Sequence, residues 1–122
     1  MKKFIKYLPA LIWSAFIFTL CFMPGDDIPK YEWLQRIHFD KIMHGSLYCI
    51  FFLLMAWPMQ KRTAKKMIVP FLICVAQGVL IEFIQGSSLI SGRSFEAGDM
   101  LANSLGALLG FLMVILVKRR YL

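Results

Sequence analysis

Apolar residues fall in four long blocks, Tyr7 to Met23, Ile42 to Pro58, Met67 to Gln85 and Met100 to Val117, with most of the charge in the stretches between them. A helix crossing a bilayer takes about 20 mostly apolar residues, with a lower limit near 17. Each block meets that limit. Extending the second and fourth back to Asp40 and Asp99 predicts helices over 7–23, 40–58, 67–85 and 99–117. The expected fold is all-α, a single-domain bundle of four transmembrane helices over residues 1–122. Pro24-Gly25, the basic run Lys61-Arg62 to Lys65-Lys66, and Gly86-Ser87-Ser88 supply the breaks. Between the first two helices, Tyr31, Trp33, Leu34 and Ile37 alternate with charges over 28–39. That stretch reads either as a short amphipathic segment on the membrane surface or as a loop with apolar anchors.

Composition agrees. The 122 residues are 59% hydrophobic and 17% charged, with a mean hydropathy of +0.65, against about 45–50% apolar and roughly 25% charged in soluble domains. A water-soluble globule is excluded. The net charge of +7 raises the question of nucleic acid until it is divided by position. Lys2, Lys3, Lys6, Lys61, Arg62, Lys65, Lys66, Lys118, Arg119 and Arg120 share one side in any four-span arrangement. The positive-inside rule makes that side cytoplasmic, with both termini inside. The other side holds Lys30, Arg36, Lys41 and Arg93 with the acids Asp26, Asp27, Glu32, Asp40, Glu82, Glu96 and Asp99, 4 − 7 = −3. Topology thus accounts for the basic excess, and no nucleic acid is expected. The start, Met1-Lys2-Lys3 before an apolar run, resembles a signal peptide, but no small-x-small cleavage site follows. The first helix is therefore expected to be retained. Tyr7, Trp57 and Tyr121 fall where the inner headgroups should lie.

Ionisable residues inside a spanning helix are expensive and mark candidate sites. Taking each helix with its direction, His44 lies one turn, about 6 Å, below the start of the second helix. Glu82 lies one turn below the end of the third, and Asn103 one turn into the fourth. All three are expected at one depth beneath Asp40, Lys41, Arg93 and Asp99. Helical spacing puts Asp40 with His44, Gly78 with Glu82 and Gln85, and Asp99 with Asn103, Gly106 and Gly110 on common faces. Ala102, Gly106 and Gly110 recur every fourth position, a small-xxx-small seam for close helix packing.

Two readings of the polar residues stand side by side. In one, Asp40, Lys41, Glu82, Arg93 and Asp99 are ion pairs tying loop ends to helices. In the other they line a pocket open to the outer leaflet. His44 is then the candidate general acid or base, with Glu82 as its partner in an acid/base pair, and Glu82 or Asp99 orienting the imidazole. Arg93 and Lys41 are suited to a phosphate or carboxylate. Asp40, Gln85, Asp99 and Asn103 complete the ligand contacts. Ser46, Ser87, Ser88, Ser91 and Ser94 sit in no nucleophile motif. His44, Glu82 and Asp99 form a conceivable metal set, but His-x-x-x-His or paired-Cys spacing is missing, so neither metal nor cofactor is expected. His38 reads as a solvated interfacial residue. Cys21, Cys49 and Cys74 read as small buried hydrophobes. A transport path past Gln77, Gly78 and Glu82 has little room in four short helices, unless a homo-oligomer forms.

In order and placement, Asp40-Lys41-x-x-His44, Glu82-x-x-Gln85, Arg93 and Asp99-x-x-x-Asn103-x-x-Gly106-x-x-x-Gly110 resemble the VanZ-like family, from Trp13 to Gly110. Cys21 stands where that family has a Ser shortly before Pro24. The resemblance implies a bacterial cytoplasmic membrane protein. Because the family takes its name from a member associated with reduced susceptibility to teicoplanin, it also implies a role at the cell envelope. Candidate ligands are a membrane lipid, a lipid-linked envelope precursor or a lipophilic glycopeptide antibiotic. The alternatives are a membrane-embedded hydrolase or transferase acting on a lipid headgroup, and a purely structural or assembly role through the glycine seam.

Overall fold

The computed structural model describes residues 2–25 and 30–120, with the side chains of Lys118, Arg119 and Arg120 left undescribed. Among these residues every regular element is a helix: α1 (Lys2–Ile5), α2 (Leu8–Cys21), α3 (Glu32–Arg36), α4 (Phe39–Ala56), α5 (Ala64–Gly86) and α6 (Ala97–Arg120). Three of them, α4, α5 and the apolar Ala97–Val117 of α6, are long enough to cross a membrane. The fourth is shorter than the pattern predicts. α2 has 14 residues, about 21 Å at 1.5 Å per residue, against a hydrocarbon layer of about 30 Å.

Two prolines set its limits. Pro9 lies in the first turn of α2; lacking an N–H, it cannot continue the ladder from Ile5, and α1 breaks off from α2 at Lys6 and Tyr7. At the other end Phe22 caps the helix, and Pro24 follows where a helix cannot resume. Pro70, seven residues into α5, is buried and lies within an unbroken helix.

Burial follows the helical period. α4 buries Leu47, Tyr48, Phe51, Phe52, Met55 and Ala56. α5 buries Met67, Pro70, Cys74, Gly78, Ile81, Glu82 and Gln85, and Asp99, Asn103, Gly106, Ala107 and Gly110 face inward on α6. Spacings of three and four put each set on one stripe. The opposite faces are also apolar: Leu72, Leu80, Phe83, Leu101, Leu105, Leu109 and Leu116 are all exposed, as suits helices whose surroundings are lipid.

The most extensive pairing is α4 with α6, then α5 with α6, while α2 packs more lightly on α4 and α5. The small-residue seam lies in the first of these. A Cβ on Gly106 would overlap the Gly45 carbonyl, and one on Gly110 would meet the Cys49 carbonyl at 3.1 Å and the Phe52 ring at 3.0 Å. Phe111 stands between α4 and α5, with ring centroids 6.0 Å from Phe52 and 6.4 Å from Phe71. α2 is fastened by polar contacts: Trp13 Nε1 donates to the Leu47 carbonyl (2.9 Å) and Ser14 Oγ to Gln77 Oε1 (2.6 Å).

These contacts also fix direction. α2 and α5 run one way, α4 and α6 the other. The end of α2, the start of α4, the end of α5 and the start of α6 therefore meet at one end of the bundle, together with the described acids. The basic runs fall at the opposite end.

The segment before α4 is partly helical. α3 is five residues long, with Leu34 half-buried and Tyr31, Trp33 and Ile37 exposed; the first two residues of the predicted 28–39 segment lie outside the described residues, as do Asp26, Asp27 and Tyr121. α3 turns into α4 through His38, which is exposed and left-handed (φ 53°), a conformation His tolerates better than most side chains. Its carbonyl accepts from the amides of Lys41 (3.0 Å) and Ile42 (3.2 Å).

Candidate functional site

At the acidic end the polar residues form two connected groups. The first joins α4 to α6. The Lys41 ammonium donates to Asp40 Oδ2 (2.9 Å), Glu96 Oε2 (2.6 Å) and Asp99 Oδ1. Asp99 lies in the first turn of α6, where the helix dipole favours an anion. Its other oxygen is 3.6 Å from His44 Nε2. On the far side of the imidazole, Nδ1 is 3.1 Å from Asn103 Oδ1. The imidazole thus bridges the carboxylate of Asp99 and the amide of Asn103, one turn apart on α6. Asn103 in turn packs on Gly78 of α5, where a Cβ would come within 3.0 Å of its Nδ2.

The second group holds the ends of α2 and α5 together. The last carbonyls of a helix have no partner within it. Those of α2 are met by side chains: Gln85 Nε2 donates to the Cys21 carbonyl (2.7 Å), Arg93 Nη2 to Leu20 (3.3 Å), and Arg93 Nε to the Met23 carbonyl just beyond (2.9 Å). The Gly25 amide donates to the Ser91 carbonyl (2.8 Å). Glycine is required there because a Cβ on Gly25 would overlap the Gly92 carbonyl.

Glu82 lies between the groups. Its carboxylate is fully buried and accepts the Glu96 amide through Oε2 (3.1 Å). Oε1 has no partner among the described protein groups, and the same holds for Tyr48 Oη, Gln77 Nε2 and Asn103 Nδ2. The sequence offered Glu82 or Asp99 as the partner of His44, with Asn103 at the same depth. In the structure His44 meets Asp99 and Asn103, while Glu82 accepts a loop amide.

A cavity of about 550 Å³ opens where α2 ends, roofed by α3 and walled by the first half of α4. Leu20, Met23, Leu34, Phe39, Met43 and Leu47 make it mostly apolar. Lys30, Gln35, Asp40, His44 and Arg93 supply polar groups. Lys41 is not among the walls, and its ammonium is already surrounded by three carboxylates. Arg93 and Lys30 are the wall cations, and Asp40 is compensated by Lys41. An anionic headgroup above an apolar tail therefore suits this cavity in both shape and charge.

The candidate metal set separates. Among the described residues, the carboxylates whose oxygens lie within 4.8 Å of one another are Asp40, Glu96 and Asp99, and the Lys41 ammonium donates to all three. Of His44, Glu82 and Asp99, only His44 and Asp99 are adjacent. Ser87 Oγ donates to the Ile84 carbonyl (2.6 Å). Cys21, Cys49 and Cys74 are unpaired thiols, Cys21 and Cys74 buried.

Glu96, Lys30 and Gln35 are the polar residues that sequence reasoning left out of the site. Glu96 carries a signal, an acid immediately before a helix start. The other two join the cavity only because α3 folds across it.

A family model described as VanZ/LLP1 matches residues 3–118. No curated protein and no solved structure matches the chain.

Proposed function

The chain belongs to the VanZ/LLP1 family, and on that premise we propose that it binds an amphiphile with an anionic headgroup at the outer leaflet of a bacterial cytoplasmic membrane. The observation that carries this reading is the apolar cavity with Arg93, Lys30 and His44 on its walls. The tail lies against Leu34, Met43 and Leu47, and the headgroup meets the Arg93 guanidinium, whose planar fork matches phosphate or carboxylate. The basic end faces the cytoplasm by the positive-inside rule, which turns the cavity outward. A lipid-linked envelope precursor fits that description, as does a lipophilic glycopeptide antibiotic. Holding either one at the outer leaflet is the route by which the protein lowers glycopeptide susceptibility.

An enzymatic reading keeps one supporting observation, an imidazole on the cavity wall with a carboxylate behind it. His44 with Asp99 is the pair that reading must use, since Glu82 lies off the wall.

Purified protein titrated with a polyprenyl diphosphate and with the matching neutral polyprenol tests the binding reading. The diphosphate is expected to bind at least tenfold more tightly, with the preference lost in Arg93→Ala and reduced in Lys30→Gln. Leu34→Trp, which fills the cavity from an α3 position, should weaken both ligands. Equal binding of the two ligands, or an undiminished preference in folded Lys30→Gln and Arg93→Ala, overturns the reading.

A further inference from the structure

The basic end of the bundle holds a second cavity, of about 930 Å³. Leu53 and Ala56 of α4 with Met113, Val114 and Val117 of α6 form an apolar floor, and the α4–α5 connection, residues 57–63, folds over it. No Asp or Glu occurs between Asp40 and Glu82, so the roof carries only positive charge.

One of its cations is held in place. Arg62 donates from Nε to the Ala56 carbonyl (3.3 Å) and from Nη2 to the Trp57 carbonyl (2.8 Å), and its guanidinium lies 5.8 Å from the Trp57 ring centroid. These bonds cap α4 and use two of the five N–H groups a guanidinium offers. Lys61 stands beside it on the rim. Thr63 then caps α5 by accepting the Lys66 amide (3.3 Å), and the first amides of α5 point out of the helix start, its positive end.

Positioned cations above an apolar trough between two spanning helices complement a phosphate joined to an acyl chain. A basic pocket at such a place suits an anionic lipid. A free phosphate would leave the trough unfilled, and a lipid with no net charge would leave the cations uncompensated. Trp57, 77% exposed, stands where a headgroup-level anchor is expected. We propose that this cavity binds an anionic phospholipid, its phosphate on Lys61, Arg62 and the start of α5 and one acyl chain between α4 and α6.

Native mass spectrometry of the full-length protein in detergent, with equimolar phosphatidylglycerol and phosphatidylcholine, tests this. Phosphatidylglycerol adducts are expected to exceed phosphatidylcholine adducts at least fivefold. Lys61→Gln should lower that ratio at least twofold, and the Lys61→Gln/Arg62→Gln pair should abolish it. Lys65→Gln/Lys66→Gln removes the same charge from side chains outside the cavity walls and should lower the ratio by less than half as much as the Lys61→Gln/Arg62→Gln pair. Because Arg62 also caps α4, Val117→Trp serves as a second test: it fills the trough from an exposed position and should reduce phosphatidylglycerol retention without changing the fold. Millimolar glycerol phosphate should fail to displace the lipid. Equal retention of the two lipids, equal losses in both double variants, no loss in Val117→Trp, or displacement by glycerol phosphate each overturns the proposal.

Discussion

Lys41 and Glu96, 55 positions apart in sequence, form an ion pair of 2.6 Å that ties the start of α4 to the segment leading into α6. Asp40 and Asp99 converge on the same ammonium. Lys41 is therefore the group that holds three carboxylates together near the edge of the bundle, and a cation that its neighbours have already neutralised.

Replacing it exposes that role. In Lys41→Met the three carboxylates lose their shared counter-ion. Breaking a buried pair costs about 3–5 kcal/mol, but Asp40 and Glu96 are about half exposed while Asp99 is largely buried. Solvent screening lowers the expected loss to roughly 1–3 kcal/mol. Glu96→Gln should cost under about 1 kcal/mol, within the range of exposed pairs. Thermal unfolding of the purified variants in detergent measures both, and a Glu96→Gln loss equal to that of Lys41→Met contradicts the assignment of Lys41 as the hub.

The seam between α4 and α6 predicts a graded pair. At Gly106 an added methyl overlaps the Gly45 backbone, so the helices must part. At Gly110 it meets the Cys49 carbonyl and the Phe52 side chain at 3.0–3.1 Å, and the ring has some freedom to move. Overpacking costs about 1–3 kcal/mol and occasionally more. Gly106→Ala should lie at or above that range and Gly110→Ala at its lower end, read from melting temperature or from the folded fraction by size exclusion. The reverse order would show that the helices approach elsewhere.

The parts of this arrangement legible in the sequence are those governed by period and depth. Hydropathy located α4, α5 and α6 to within a few residues, and the four-residue spacing of Ala102, Gly106 and Gly110 marked the face that meets α4. Depth along a helix follows from counting residues, so His44 and Asn103 at one level were readable, and they stand 3.1 Å apart. Direction around the helix axis, relative to a neighbour, was not readable. Glu82 shares that level yet meets the Glu96 amide, because a loop residue with no periodic signal folds over it. The 550 Å³ cavity depends on where α3 crosses, which five residues of weak amphipathicity do not encode locally. The shortening of α2 was legible in principle, since Pro9 and Pro24 bracket it.

Glu82 tests whether a buried acid off the cavity wall serves the fold or takes part in chemistry. Glu82→Gln keeps an oxygen acceptor for the Glu96 amide and removes the acid. The protein should fold with a loss below about 1 kcal/mol and keep its affinity for the anionic amphiphile. Glu82→Leu leaves the amide without its acceptor, at about 1–3 kcal/mol, and should be clearly less stable. Parallel unfolding and ligand titrations decide the matter. A folded Glu82→Gln protein that turns over a lipid substrate in its wild-type form, but not as the variant, would restore Glu82 to the chemistry and displace the binding reading.

Orientation is the remaining prediction, and it rests on charge alone. A fluorescent protein fused after Leu122 should fluoresce and alkaline phosphatase fused there should be inactive, while phosphatase inserted at Ser88 should be active. The bias has a magnitude that can be adjusted. Ten basic residues sit at one end and four, Lys30, Arg36, Lys41 and Arg93, at the other. Changing Lys61, Arg62, Lys65 and Lys66 to Gln leaves 10 − 4 = 6 against 4. Short connections are where the positive-inside bias acts, so that variant should insert in mixed orientation, with phosphatase activity appearing at both Leu122 and Ser88. An active phosphatase after Leu122 in the unaltered chain would turn the 550 Å³ cavity toward the cytoplasm. The ligand would then have to be sought among inner-leaflet lipids, and the link to envelope antibiotics would lose its physical basis.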